Sequence, residues 1–306
     1  MEAQQPAVPE SDATPALDVA ELRAEGFLAA TGIPKLVVLE STGSTNADLL
    51  KGVSEEPGEW PDLAVLVAEH QTAARGRLDR HWETPGRSSV SVSLVLRPVN
   101  AEGRPVPAHS YSWLSLLSAV ALRETLRDVA GLPAEIKWPN DVVVRGRKIA
   151  GILAQLGSAQ LGGSASGASP AVILGMGLNV TLTAEQLPVP TATSVALEQP
   201  LTTDRTALLT SYLINFSALY RSFCNADGDP HAGLAHGPSL HKRVEAVMTT
   251  LGKEVRAHLP GDHQLVGHAS RLDEYGSLLV VDHAGKEHVV TAGDIVHLRA
   301  TESGYA

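Results

Sequence analysis

A single cysteine, Cys224, stands in the 306 residues. That scarcity excludes an internal disulfide and any zinc site built on paired thiolates, and it fits a reducing compartment. Cys224 therefore reads as a buried bystander thiol. Aromatic residues make up only 4% of the chain, so Val, Leu, Ala and Ile must build the core. No apolar run reaches the roughly 18 residues that a membrane span needs, and the N-terminus lacks the basic-then-apolar order of a secretory signal. The expectation is a cytoplasmic protein with no membrane partner. Positive charge is in short supply: 24 Lys and Arg against 34 Asp and Glu leave a net charge of -10. Binding nucleic acid through its phosphates needs an excess of cations over a broad surface, so no DNA partner is expected, and any local basic patch serves a smaller anion.

Several chemical signatures are also missing. No Ser/His/Asp order stands out, and no His or acidic cluster has metal-ligand spacing. His258, His263, His268, His283, His288 and His297 are spread through the C-terminal strands, which argues against a protein-held metal cage. A P-loop is absent, and "GMGLN" at Gly175 to Asn179 lacks the third glycine of a dinucleotide fingerprint.

What is present is an ordinary globular composition, 43% apolar and 19% charged, in a chain long enough for two compact domains. Residues 1–16 are rich in Pro, Gln and acid and read as a disordered tail. "LDVAELRAEGFLAA" then suggests a short packed helix, so residues 1–35 form a tail plus helix. "KLVVLE" reads as a strand, "STGSTNADLLKG" as a turn and a helix start capped by Ser44, Thr45 or Asn46, and "DLAVLVAEHQT" as a buried strand. "SSVSVSLVLRP" alternates small polar with apolar residues, the pattern of a half-buried strand. "YSWLSLLSAVALRETLRDVAG" carries the longest amphipathic helix signal. Two apolar strand patterns, "EIKWPNDVVVRGRKIAGILAQL" and "AVILGMGLNVT", flank a Gly/Ser/Ala insert with the composition of a flexible loop. A helix near Asp204 to Cys224 closes a domain spanning 36–238. From 239 to 306 short strands alternate with turn signals, as in a small β-barrel. Strands and helices mixed, followed by strands alone, give an α+β fold with an all-β appendix.

Three stretches could carry chemistry, and each also has a plainer reading. "AARGRLDRHW" places Arg75, Arg77 and Arg80 inside six residues, loosened by Gly76 and closed by Trp82. Guanidinium forks bind carboxylate and phosphate oxygens bidentately, and such a loop can close over an anion; the plainer reading is a solvated face. Trp82 offers a flat surface for a purine or simply packs in the core. "KWPND" fixes Lys137 on a rigid turn, and Lys148 follows eleven residues later in "RGRKIAGIL"; either lysine could equally lie on the surface. "STGSTN" with Gln71 supplies neutral, directional hydrogen bonds for an uncharged polar ligand, or merely caps a helix. Together they describe a site that binds an anion and a neutral group without an obvious general base, which favours catalysis by positioning and charge stabilisation.

In that order, "STGSTNADLL", "AEHQTAARGRLDRHWETP", "KWPNDVVVRGRKIAGIL" and "VILGMGLNV" resemble the biotin protein ligases, over residues 36–300. The resemblance implies a class II synthetase-like mixed sheet flanked by helices, followed by a small SH3-like barrel. It implies an ATP-dependent reaction with Mg²⁺: biotin is activated as biotinyl-5'-AMP with loss of pyrophosphate, then joined to a lysine of a biotin carboxyl carrier domain of an acyl-CoA or pyruvate carboxylase. By the same resemblance Ser44, Thr45, Asn46 and Gln71 hold biotin's ureido ring and neighbouring groups, and Gly151, Ile152 and Leu153 line its pocket. Arg75, Gly76 and Arg77 close over the carboxylate and the adenylate phosphate, with Lys137 as the main catalytic cation beside Arg77. Arg77, Arg80, Trp82, Lys148 and Asn179 serve ATP, and Mg²⁺ travels with the phosphates near Asn179.

One departure is Ala74, where the family usually has the first glycine of Gly-Arg-Gly-Arg; the expectation is a less mobile loop. The family's DNA-binding N-terminal domain has no counterpart in the sequence, so no repressor role is expected. A monomer and a homodimer both fit. The competing expectations are a lipoate or octanoate ligase of the same fold, which would need an apolar tunnel, and a non-catalytic biotin sensor.

Overall fold

The computed structural model describes residues 14–77, 80–82, 84–157, 170–234, 237–259, 263–291, 294–297, 300–301 and 304–305. Most of the expected N-terminal tail and nearly all of the Gly/Ser/Ala insert lie outside these residues.

The N-terminal helix signal resolves into two short helices, α1 (Val19–Leu22) and α2 (Glu25–Thr31). The end of the expected disordered tail is docked: Arg205 Nη2 donates to Pro15 O at 2.6 Å, and Leu17 N donates to Glu69 Oε1 at 2.6 Å. These bonds converge on a buried ion pair, Arg205 Nη1 to Glu69 Oε2 at 2.6 Å. Composition could not reveal this, because the partner acid and arginine lie far along the chain.

The larger unit is a seven-stranded sheet ordered β1-β2-β3-β7-β6-β5-β4. Its strands are β1 (Leu36–Leu39), β2 (Val65–Ala68), β3 (Ser89–Leu96), β4 (Ala134–Lys137), β5 (Asp141–Val144), β6 (Arg147–Leu156) and β7 (Val172–Asn179). β1 and β2 run parallel and the other neighbours antiparallel, which makes the sheet mixed. Helix α3 (Thr45–Glu55), capped by Ser44, packs Leu49 and Val53 over β2, β3 and β7. Helices α4 (Trp113–Asp128) and α5 (Arg205–Asn225) pack against each other and the sheet. α5 is the longest helix described, at 21 residues against 16 in α4, so the strongest sequence signal did not mark the longest element. It gathers scarce aromatics at helical spacing: Tyr212, Phe216, Tyr220 and Phe223 are all buried.

β3 departs from its expected half-exposure, since all eight of its residues are buried. Its serine face is roofed by α3 and by the loop carrying Thr84. The hydroxyls are paired there, Ser93 with Thr45 at 2.7 Å and Ser89 with Thr84 at 2.9 Å. Alternation reports which side chains share a face, and here the polar face is buried too.

Helix α6 (Leu240–Glu245) leads to a five-stranded antiparallel sheet ordered β11-β10-β9-β8-β12. Its strands are β8 (Glu254–Leu259), β9 (His263–Leu272), β10 (Leu278–Asp282), β11 (Glu287–Val290) and β12 (Asp294–His297). This sheet is docked on the larger unit. Ile136 of β4 exchanges backbone bonds with Val247 and Thr249, and two indole N–H groups reach its turn, Trp113 to Glu274 O at 2.8 Å and Trp138 to Gly276 O at 2.9 Å. One hydrophobic cluster runs through both units, from Leu17 to Ile295.

Candidate active site

The register of the large sheet places small residues side by side. Ser91, Gly177 and Gly151 face one another across β3, β7 and β6, and the row continues through Asp141 to Lys137. The next row holds Ser93, Gly175 and Leu153. Opposed residues point to the same face, so glycines and serines leave a shallow floor. Over this floor lies a cavity of about 1340 Å³.

All fifteen residues singled out from the sequence line this cavity: Ser44, Thr45, Asn46, Gln71, Arg75, Gly76, Arg77, Arg80, Trp82, Lys137, Lys148, Gly151, Ile152, Leu153 and Asn179. Sequence reading missed Ser93, Gly175, Gly177, Asp141, Lys253 and His297, which line it as well. The signal for the first three was present in the period-two serines of "SVSVS" and glycines of "GMG", whose small residues fall on one strand face.

One end of the cavity is neutral and polar. Ser44 caps α3, its side chain accepting from Ala47 N, so Thr45 and Asn46 project from the first helical turn over the floor. Gln71 Oε1 accepts from Thr45 N at 2.8 Å and from Thr45 Oγ1 at 3.0 Å. Ser93 Oγ donates to Asn46 Oδ1 at 2.7 Å, and Asn46 Nδ2 donates to Leu153 O at 3.2 Å and Gln155 Oε1 at 2.9 Å. This chain of bonds fixes each amide's orientation. Asn46 also lies so close to Gly175 that a Cβ there would collide with its carboxamide.

The other end is cationic. Seven Lys and Arg residues line the cavity (Arg75, Arg77, Arg80, Lys137, Arg145, Lys148, Lys253) against Glu135 and Asp141. The acidic total of the chain thus conceals a focused positive site. The arginine loop is rooted beside the polar cluster, with Thr72 N donating to Thr42 O and Ala73 N to Gly43 O. It closes on itself through Gly76 N to Arg80 O at 2.7 Å and Trp82 N to Ala74 O at 2.9 Å. Neither Ala74 nor Gly76 has a positive φ, and Ala74 is buried. Alanine therefore imposes no backbone strain in this conformation.

The two candidate lysines occupy different places. Lys148 Nζ pairs with Asp141 Oδ1 at 2.7 Å and lies 5.5 Å over the Trp82 ring. A Cβ at Gly151 would meet Lys148 Nζ at 3.2 Å, so this ammonium stands on the floor itself. Lys137 lies beside the small sheet, where its charge and that of Lys253 act on His297. Burial first, then these two cations, lower His297 to about 4. Trp82 lies on the floor against Gly177 and Gly151, and its Nε1 is buried without a hydrogen-bond partner among the described residues. Asn179 is buried, and its Nδ2 donates to Thr193 O at 3.0 Å.

Cys224 is buried away from this cavity, and burial pushes its thiol up to about 12, as suits a bystander. Among the described residues no group of three or more His, Cys, Asp or Glu could hold a metal ion, and no helix is long and apolar enough to cross a membrane.

Residues 38–165 match the biotin/lipoate A/B protein ligase family, and residues 250–298 match the biotin protein ligase C-terminal domain. The chain is 38% identical over 288 residues to the biotin--[acetyl-CoA-carboxylase] ligase of Mycobacterium tuberculosis, covering 93% of this chain and 97% of that one. It is 29% identical to the bifunctional ligase/repressor BirA of Bacillus subtilis, over 83% of this chain and 71% of that protein. Biotin protein ligase from Aquifex aeolicus, solved in complex with biotin and ATP, shares the fold with a TM-score of 0.63 at 24% identity, over 86% of this chain and 99% of that one. The chain belongs to the biotin protein ligase family.

Proposed function

We propose that this protein uses ATP to activate biotin as biotinyl-5'-AMP, releasing pyrophosphate, and then transfers biotin to a lysine of a biotin carboxyl carrier domain, releasing AMP. The observation that carries the reading is the cavity's polarity: a fixed cluster of neutral donors and acceptors at one end of a small-residue floor and a focus of cations at the other. Biotin has that same division, an uncharged ureido ring at one end and a carboxylate at the other.

Thr45, Asn46, Gln71 and Ser93 meet the ring, and Gly151, Gly175 and Gly177 let Lys148, Asn46 and Trp82 stand close against the sheet beside it. A carboxylate is already ionised at pH 7, so its attack on the α-phosphorus needs orientation and charge stabilisation more than a base. Negative charge gathers on the phosphoryl oxygens as the new bond forms, and nearby cations stabilise that state more than the ground state. Lys148, standing on the floor, suits the reacting phosphate and carboxylate. Lys137, Arg75, Arg77 and Arg80 surround the remaining nucleotide charge. This refines the sequence expectation, which gave Lys137 the leading part.

Mg²⁺ carried in with the phosphates would supply neutralisation of part of their charge. The donor set fits a metal carried mainly by phosphate and water: Asp141 is paired with Lys148, and Asn179, with Nδ2 held by Thr193, can offer only its neutral Oδ1. In the second step an uncharged acceptor amine attacks the anhydride carbonyl. The arginine loop keeps water from the anhydride until then.

The acceptor is a carrier domain of a biotin-dependent carboxylase, and the reaction takes place in the cytoplasm. Lipoate's dithiolane has no N–H or carbonyl to meet the polar cluster, which disfavours the lipoate reading. Incubation with ATP, a carrier domain and either acid separates the two. Mass addition of biotin alone is expected; lipoyl transfer without biotin transfer would overturn the assignment.

A further inference from the structure

Glu198 is 1% exposed, and both carboxylate oxygens are engaged. Oε2 accepts from Arg145 Nη1 at 2.5 Å, while Oε1 accepts from Arg147 Nη2 at 2.5 Å and from Thr193 Oγ1 at 2.7 Å. Desolvating a carboxylate costs several kcal/mol, and an apolar replacement of similar volume is often no less stable. Stability alone is therefore a weak account of this acid.

A stronger account lies beside it, in the register of β6. Asp141 and Val142 face Gly151 and Ala150, but Val143 faces Lys148, so Ile149 is an extra residue opposite the β5 strand. In an unbulged strand Lys148 would share a face with Ala150 and Ile152, which are 0% and 1% exposed in the core. The bulge turns Lys148 to the opposite face, beside Gly151 and Asp141. Around the bulge, Lys148 bonds to a neighbouring segment: its N–H donates to Thr191 O at 2.8 Å, and its carbonyl accepts from Thr193 N at 2.8 Å. Glu198 Oε1 joins the two sides of this seam, holding Arg147 next to Lys148 in sequence and Thr193 across from it. Thr193 O also takes the Asn179 amide.

We infer that Glu198 is a positioning residue for adenylate formation: its carboxylate clasps the bulged edge of β6 to the 191–195 segment and so holds the Lys148 ammonium on the cavity floor. The inference rests on the reading that Lys148 serves the reacting phosphate and carboxylate.

The test is a double-mutant cycle in biotin-dependent pyrophosphate exchange, using the full chain with Glu198→Gln, Lys148→Ala and their combination. Glu198→Gln is expected to lower kcat about 10-fold to 100-fold, the scale of loss for a misplaced catalytic group, with a smaller loss of biotin affinity because the polar cluster that meets the ring is held from α3. In the Lys148→Ala background the same substitution should cost less than about twofold, since a residue acting through Lys148 has nothing left to position. Equal losses in both backgrounds would show a general structural role and overturn the inference. Thr193→Val removes one Oε1 bond and leaves both arginine contacts. It should show a smaller loss of the same kind and carries the test if Glu198→Gln does not fold. Amine labelling of the substrate-free protein, with Lys148 compared to Lys137 by mass spectrometry, separates the clasp from the reaction. A severalfold change at Lys148 in either variant is expected, and an unchanged ratio overturns the clasp whatever the enzyme's activity.

Discussion

At Gly175 a side chain is excluded by a neighbour that is itself immobilised. Asn46 is held by Ser93, Leu153 and Gln155, so a methyl group at position 175 must displace an amide tied at both ends. Gly175→Ala is expected to weaken biotin binding at least about tenfold, roughly 1.4 kcal/mol, read by calorimetric titration. His297 makes a second prediction. Its folded value of about 4 lies below the usual 6.5, so between these values the unfolded chain binds more protons. Its contribution to stability is complete above about pH 6.5 and is lost as pH falls towards 4. Urea unfolding of His297→Gln should accordingly lose less stability between pH 7 and pH 4.5 than the parent protein does. Residues that line the cavity were legible where chemistry demands an unusual type, as with the arginines, Gln71 and the two lysines. Gly175, Gly177 and Ser93 escaped because small residues signify only once strand register brings them together. His297 escaped because its neighbours Lys137 and Lys253 come from elsewhere in the chain.

The described residues of the arginine loop are tied to one another, Gly76 to Arg80 and Trp82 to Ala74, and its start is rooted on the Thr42–Gly43 backbone. Its arginines line the cavity, so it can act as a gate on the reactive adenylate. Arg77→Gly should speed biotinyl-AMP dissociation by about tenfold or more, the scale of one lost charge-assisted bond, in a chase experiment. Unchanged dissociation would count against the gate. The elements around it were readable from periodicity and capping, including α3 behind Ser44 and the strands feeding the loop. The bulge in β6 was not, because "RGRKIAGIL" reads as one continuous strand pattern and an extra residue appears only against the partner strand. That residue puts Lys148 on the floor face.

In the whole molecule the two sheets share one hydrophobic cluster, and His297 of the small sheet and Lys253 just ahead of β8 line the cavity. A texture change near residue 239 was legible, but the depth of docking was not, since it depends on Trp113 and Trp138 reaching Glu274 and Gly276. A shared core implies shared cooperativity. Hydrogen exchange under rising denaturant should open amides of β3 and β9 in one transition, whereas separate transitions would show independently stable units.

The most direct test of the central claim is exchange of labelled pyrophosphate into ATP with and without biotin, because it reads the first chemical step without an acceptor. The cavity's neutral and cationic ends require exchange that depends on biotin and falls sharply in Lys148→Ala. Folded protein that shows no biotin-dependent exchange would contradict the account.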